Sequence, residues 1–273
     1  MISVIIPCYN QGLFLKEACD SLINQTFTDF EVIIVNDGSI DETEKIALSI
    51  CNEDSRFSYY SKENGGLSSA RNFGLKQASG NFIQFLDSDD KLDKNKFEAS
   101  IDFLNKNKID IVITDFLRFK SKNGKEKKVR FDLNKQIINY ESVLLKWDIE
   151  FAIPIHCALF SKNIIGDIQF EENLKAKEDW FYWLSVLKRS PNIHFINEKL
   201  ALYRAHKQNM SKNNDKMFLN EKIANEIIYE SLEDEYKNVF FKRLNNELLK
   251  SKLTYHDFKD KLFSRRFLSF LKA

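Results

Sequence analysis

The chain is poor in the residues that break or staple a polypeptide. It has 8 glycines and 3 prolines in 273 residues, about 4% together against an average nearer 12%. That excludes collagen-like repeats, low-complexity linkers and loop-rich disulfide scaffolds. The four cysteines (Cys8, Cys19, Cys51 and Cys157) are widely spaced and form no C-x-x-C pair, so they read as reduced thiols of a cytosolic protein. No apolar run approaches the ~18–20 residues of a membrane span. The opening, Met1-Ile2-Ser3-Val4-Ile5-Ile6-Pro7, lacks the charged segment and cleavage site of a signal peptide and reads as a strand. No G-x-G-x-x-G follows it, which disfavours a dehydrogenase. Charge of one sign is also missing: 41 Lys and Arg against 40 Asp and Glu give +1, with no bulk attraction for nucleic acid. The distribution is uneven, because residues 236–273 carry a net +7 and leave the first 235 at −6.

A hydrophobic fraction of 43% and a charged fraction of 30% supply a core and a soluble surface for one large domain or one and a half. Short apolar runs of strand length fall at Ile2–Ile6, Phe30–Val35, Phe57–Tyr60, Asn81–Leu86 and Ile109–Thr114. Helical stretches lie between them at Leu13–Asn24, Glu42–Cys51, Leu67–Gln77 and Lys94–Asn105. The alternation predicts a parallel α/β sheet covered on both faces, whose ligands bind beyond the carboxyl ends of the strands. Six of the eight glycines lie in the first 80 residues, around those turns.

After Thr114 the pattern changes. Residues Asp115–Asp132 predict a polar hairpin around Lys122-Asn123-Gly124-Lys125. Beyond it, Tyr140–Trp147 reads as a short helix, Ile153–Phe160 as a strand and Asp179–Lys188 as a helix apolar on nearly every side. Ile193–Ile196 and Lys199–Tyr203 read as two short strands, and the chain is helical from Asp215 onward.

Several strand ends carry chemistry. Asp87-Ser88-Asp89 places two carboxylates where both reach one hard cation; the alternative is a polar loop whose Asp90 caps the next helix. Asp37, before Gly38, is either a turn residue or a carboxylate that accepts the N–H of a pyrimidine. Arg71, on the helix opened by Gly65-Gly66, either pairs with a base carbonyl or diphosphate or is a surface charge. Glu178-Asp179 heads a strongly apolar helix, so the acids are either caps or a general base against an apolar wall. Trp180 and its neighbours suit the C–H faces of sugar rings. His206 is a ligand candidate or a structural histidine.

Read together, Ser3-Val4-Ile5-Ile6-Pro7-Cys8-Tyr9-Asn10, Ser21-Leu22-Ile23-Asn24-Gln25-Thr26-Phe27, Val35-Asn36-Asp37-Gly38-Ser39, Asn64-Gly65-Gly66-Leu67-Ser68-Ser69-Ala70-Arg71-Asn72 and Phe85-Leu86-Asp87-Ser88-Asp89-Asp90 resemble the nucleotide-binding half of the family 2 glycosyltransferases. Phe170-Glu171-Glu172 with Glu178-Asp179-Trp180 resembles the family's acceptor-side motif. Tyr203-Arg204-x-His206 with Asn209-Met210-Ser211 resembles its closing loop. The resemblance implies a GT-A fold over 1–211, with a nucleotide-sugar half (1–115) and an acceptor half (116–211), followed by a C-terminal helical extension (212–273).

It also implies roles. Pro7 and Tyr9 would border the base, and Asp37 and Arg71 would recognise uracil. Asp87 would approach the ribose, with Ser88 beside it, and Asp89 would hold Mn²⁺ or Mg²⁺ on the diphosphate with His206. Asp179 would be the catalytic base, with Glu178 and Trp180 on the substrate side. The implied reaction inverts the anomeric centre, moving one sugar from a UDP-α-sugar to a hydroxyl of a glycan or lipid-linked acceptor for a bacterial surface polysaccharide. The Q-x-x-R-W motif of processive synthases is absent, which argues for one sugar per event. A sugar nucleotidyltransferase fits less well, since no Gly-rich basic loop follows the first strand. A non-catalytic sugar-nucleotide-binding scaffold is the alternative from another class. The basic extension lies on an anionic membrane, on the domain itself or on the second subunit of a homodimer. The expected location is the cytoplasm, including the inner face of the cell membrane.

Overall fold

The computed structural model describes residues 1–250 apart from 107, 121–123, 130, 207, 208 and 210–213. The first half alternates as its periodicity predicts: β1 (Ile2–Cys8), α1 (Gly12–Ile23), β2 (Phe30–Asn36), α2 (Thr43–Glu53), β3 (Phe57–Ser61), α3 (Leu67–Gln77) and β4 (Phe82–Phe85). A two-residue β5 (Lys91–Leu92) and α4 (Lys96–Lys106) follow. The second half contributes β6 (Ile111–Lys120), β7 (Glu126–Lys127), α5 (Tyr140–Lys146), β8 (Ala158–Ser161), α6 (Lys162–Ile165), α7 (Glu178–Leu187) and β9 (Ile193–Ala205). The described chain closes with α8 (Asn214–Ser231) and α9 (Asp234–Lys250).

One sheet runs through both halves in the order β3-β2-β1-β4-β8-β6-β9-β5, with β7 paired to β6. Strands β3, β2, β1 and β4 are parallel, in a register that sets Ile2 opposite Phe30 and Cys8 opposite Asn36. Strand β8 is antiparallel to both β4 and β6, so β6 points along β4 again although it is not its neighbour. The fifth predicted strand thus keeps its direction while a later strand intervenes. Since β6 passes through residue 115, both predicted halves share this sheet.

The period-2 alternation of strand side chains splits the core in two. Ile2, Val4, Ile6 and Cys8 of β1 face α1, α2 and α4, where Leu15, Ala18, Cys19 and Leu22 form one helical stripe. Ile5 faces the other layer with α3, α5 and α7. Helix α3 lies close on β1 because Gly74 has no Cβ; one placed there would clash with Ile5 Cγ2.

Two sequence expectations are corrected. The run Ile153–Phe160 is not one strand: Ile155–Cys157 is a 3-10 turn after Pro154, and β8 begins at Ala158. The carbonyls of Ile153, His156 and Cys157 accept side-chain hydrogens from Trp183, Gln84 and Lys96 at 3.1, 3.0 and 2.5 Å, so that backbone is satisfied without a ladder. Conversely, the two short strands expected at 193–203 are one strand. Asn197 and Glu198 bulge out where Ile196 pairs with Thr114 and Lys199 with Asp115.

The described part of the extension packs on the domain. Ile228, Leu232, Phe240 and Leu244 join the α7 core, and Arg243 donates to the carbonyls of Leu144 and Trp147 at 2.8 and 2.9 Å. The aromatics at 263, 267 and 270, and Met210 and Ser211 of the closing motif, lie outside the described residues. Among the described residues no helix is long and apolar enough to cross a membrane.

Candidate active site

Four strand ends and the head of α7 build the site. Pro7 is buried at the end of β1, and Tyr9 beyond it is 51% exposed. Asn10, in the left-handed region at φ 52°, ties this turn to the next: its N–H donates to Ser39 Oγ and its Oδ1 accepts from Ile40 N–H, both at 2.9 Å.

Asp37, at the end of β2, is buried and already bonded. Oδ1 accepts from Lys62 Nζ at 2.7 Å and from Gly65 N–H at 3.0 Å, and Oδ2 accepts from Gly66 N–H at 2.7 Å. The carboxylate therefore shapes the β3–α3 loop. Gly66, at φ 94°, takes a backbone conformation that L side chains rarely adopt.

Arg71 is 1% exposed. Its Nη2 donates to Asp87 Oδ1 at 2.7 Å, its Nη1 to Glu178 Oε1 at 2.9 Å, and its guanidinium lies 4.9 Å from the Phe170 ring centroid. Each terminal nitrogen gives one of its two hydrogens to a carboxylate, so the guanidinium is anchored between Asp87 and Glu178. The residue bridges the end of β4 to the head of α7. Next to it, Asn72 accepts from the N–H of Phe170 at 2.8 Å and donates to its carbonyl at 2.9 Å, pinning the 170–172 segment to α3 as a strand partner would.

Asp87 and Asp89 flank the buried Ser88. Asp89 Oδ2 stands 2.8 Å from His206 Nε2, and the imidazole packs 4.7 Å from the Phe14 ring. Burial and the charge of Asp87 push the Asp89 carboxyl upward, and His206 pulls against them. Asp90 does not cap α4. It is buried, accepting from Arg204 N–H at 2.7 Å and lying 3.2 Å from His156 Nδ1. Arg204 also donates from Nε to the Asp89 carbonyl at 2.6 Å and from Nη2 to Glu17 at 3.0 Å, so β9 holds Asp89 and His206 together. Among the described residues no cluster of three or more His, Cys, Asp or Glu side chains is placed to hold a metal. A hard divalent cation would draw two protein ligands here, Asp89 and His206, which fits an ion whose other positions go to phosphate and water.

Glu178 and Asp179 open α7 after Lys177, which is left-handed at φ 65° and ion-paired with Asp148. Asp179 is half-buried, and its Oδ1 accepts from Trp180 N–H at 2.8 Å. Withdrawal from water, reinforced by the charges of Glu178 and Asp148, pushes its carboxyl up to about 7, with Lys177 and Arg71 opposing. That suits a group that takes a proton near neutral pH.

Trp180 is corrected. It is 2% exposed, its Nε1 donates to the Val143 carbonyl at 2.9 Å, and Arg243 lies 4.5 Å over its ring. The indole belongs to the core, with no face for a sugar. Sequence reasoning assigned no role to Lys62, Asn72, Arg204, His156 or Lys177. Asn72 and Arg204 stand inside motifs quoted above, a usable signal; for Lys62, His156 and Lys177 the sequence offers none.

The model of the family described as glycosyl transferase family 2 matches residues 3–168, more than half of the chain. The uncharacterised glycosyltransferase EpsJ of Bacillus subtilis is 29% identical over 217 residues, which are 78% of this chain and 63% of that protein. The minor teichoic acid biosynthesis protein GgaB of B. subtilis is 34% identical over 215 residues, 77% of this chain but 23% of that protein. The chain thus spans less than two thirds of either relative. Among solved structures, S. aureus TarS 1-349 in complex with UDP-GlcNAc superposes with a TM-score of 0.72 at 22% identity, covering 96% of this chain and 81% of that one. The mannosyltransferase PcManGT of Pyrobaculum calidifontis, in complex with GDP-Man and Mn²⁺, superposes at 0.64 with 13% identity, covering 88% and 68%. The fold is therefore GT-A, and the chain belongs to glycosyl transferase family 2.

Proposed function

We propose that the protein is an inverting glycosyltransferase that moves one sugar from a UDP-α-sugar to a hydroxyl of a glycan or lipid-linked acceptor in the synthesis of a bacterial surface polysaccharide. The observation that carries this reading is the Asp87–Arg71–Glu178 bridge. It ties Asp87 after β4 to Glu178 at the head of α7, bringing the two ends of the candidate site together as transfer between a donor and an acceptor requires. The names of GgaB and of the TarS complex with UDP-GlcNAc support the substrate classes.

In this reading Asp179, poised near neutral pH, takes the proton of the acceptor hydroxyl as its oxygen attacks the anomeric carbon. Asp89 and His206 would hold a Mn²⁺ or Mg²⁺ ion, which would supply charge stabilisation for a leaving diphosphate. Pro7 and Tyr9 border the base at the end of β1. Asp37 fixes the neighbouring loop and keeps one lone pair on Oδ2 for the base N–H. Asp87 and Ser88 lie on the ribose side. The test is calorimetric titration of the protein with UDP, GDP and a panel of UDP-sugars, in Mn²⁺ and in EDTA. Binding that needs metal and selects UDP and one UDP-sugar is expected. A folded protein that binds no nucleotide would overturn the reading.

A further inference from the structure

The β6–β7 hairpin takes no part in the site above, yet its charge sets it apart. Residues 116–130 contain seven Lys and Arg and one acid, Glu126. Their net charge is +6 in a stretch of 235 residues whose total is −6, so the rest of that stretch carries −12. In sequence, this segment is a positive island within an acidic stretch.

Its cations are set against one another. Arg118 stands opposite Lys127 in the β6–β7 register, and Lys120 N–H bonds to the Lys125 carbonyl at 2.9 Å, across the turn. Like charges directly opposite in an antiparallel pair destabilise it. Arg118 and Lys127 are like charges on one rung, an arrangement that suits an anion brought from outside. Lys120, Lys125, Lys127 and Lys128 are exposed.

The strip also has a direction. Phe119 turns toward the α1 side, with Arg204 and Lys91 each 4.8 Å from its ring centroid. Strand alternation then sends Arg118 and Lys120 to the opposite face, the one that Phe116 and Tyr203 share with the α7 core. Arg118 lies 5.2 Å over the Tyr203 ring. Lys120 pairs with Ala205, one residue before His206. The cations therefore start on the sheet face whose core includes Trp180, Tyr182 and Trp183 of α7. The described end of the hairpin, Gly124–Lys128, carries no apolar side chain to insert into a bilayer.

We infer that the β6–β7 hairpin is a docking strip for an acceptor chain bearing phosphate groups along its length, laid across the sheet face toward Asp179. This rests on the glycosyltransferase reading and adds to it the charge of the acceptor. The test measures binding of long-chain inorganic polyphosphate to the full chain at low and high KCl, with UDP binding measured on the same samples. The wild type is expected to bind polyphosphate with an affinity that falls as salt rises. The combined variant Lys120→Gln, Lys125→Gln, Lys127→Gln and Lys128→Gln is expected to bind it about tenfold more weakly or worse, with UDP binding unchanged. Changing Lys16, Lys45, Lys76 and Lys94 to Gln removes equal charge elsewhere and is expected to leave polyphosphate binding as it was. Equal losses in both variants would overturn the inference. So would binding confined to phosphatidylglycerol vesicles with none to polyphosphate, which would make the strip a membrane contact. Polyphosphate binding without any UDP binding would keep the strip and remove the donor reading; the reverse would do the opposite.

Discussion

Arg71 of α3 donates from Nη1 to Oε1 of Glu178, 2.9 Å away and 107 residues further along the chain. The pair is buried, and the other arm of the guanidinium holds Asp87. Removing one partner of a buried ion pair leaves an uncompensated charge, which costs roughly 3–5 kcal/mol. Because Asp87 is 31% exposed at its side chain, the low end of that range applies. Arg71→Met is therefore expected to lower unfolding stability by about 3 kcal/mol, measured by urea denaturation, and to abolish transfer. A stability equal to wild type would mean that the bridge is not closed in solution.

The halves of this bridge were unequally legible in the sequence. The carboxylates at 87 and 89 follow a buried strand, and a strand end in an α/β alternation is where ligands gather, so their place could be read directly. Arg71 could not be separated from a surface charge, because its partner Glu178 lies far along the chain and no local pattern encodes that contact. The same limit explains β8: its position between β4 and β6 depends on side chains that satisfy the Ile153, His156 and Cys157 carbonyls from elsewhere in the fold. Strand β9 looked like two strands because Asn197 and Glu198 interrupt the apolar alternation as a bulge would.

The environment of Asp179 predicts a pH dependence. Its carboxyl is pushed up to about 7 by withdrawal from water and by the charges of Glu178 and Asp148. The base form is ionised, so the rate of UDP release in the presence of acceptor should rise with pH through about 7 and then level. Asp179→Asn should keep UDP-sugar binding and lose transfer by about 10²–10⁴-fold. Lys177→Met removes a cation that holds the carboxyl down, so the rising limb should move to higher pH. A limb unmoved by that change would remove Asp179 from the role of base.

That raised value has a stability consequence of definite sign. In the unfolded chain the Asp179 carboxyl titrates near its ordinary ~3.9, so in that window the folded state binds more protons than the unfolded state. The stability it contributes is full below ~3.9 and is lost as pH rises through about 7. Asp179→Asn has no such titration. Its thermal midpoint relative to wild type should climb between acid and mildly alkaline pH, and a constant difference across that range would contradict the assignment.

Asp89 and His206 face each other across 2.8 Å and leave most positions around a cation to other ligands. UDP binding should therefore depend on both residues only when metal is supplied. Asp89→Ala is expected to bind UDP in Mn²⁺ no better than the wild type binds it in EDTA, and His206→Ala should fall between them. Calorimetry with and without metal reads this directly. A residual Mn²⁺ response in Asp89→Ala would move the cation to other groups.

Trp180 separates a role in packing from a role in substrate contact. Its indole N–H donates to the Val143 carbonyl and its ring lies under Arg243, so replacement by Phe removes a buried hydrogen bond and part of a filled volume. The expected loss is about 1–2 kcal/mol in unfolding stability, with the acceptor KM unchanged. A ring that met the sugar would give the reverse, a raised KM at nearly constant stability. The tryptophan directly after an acid pair looks, in sequence, like part of a substrate wall; in the fold, the helical turn that leaves Asp179 half-buried carries the next residue into the core.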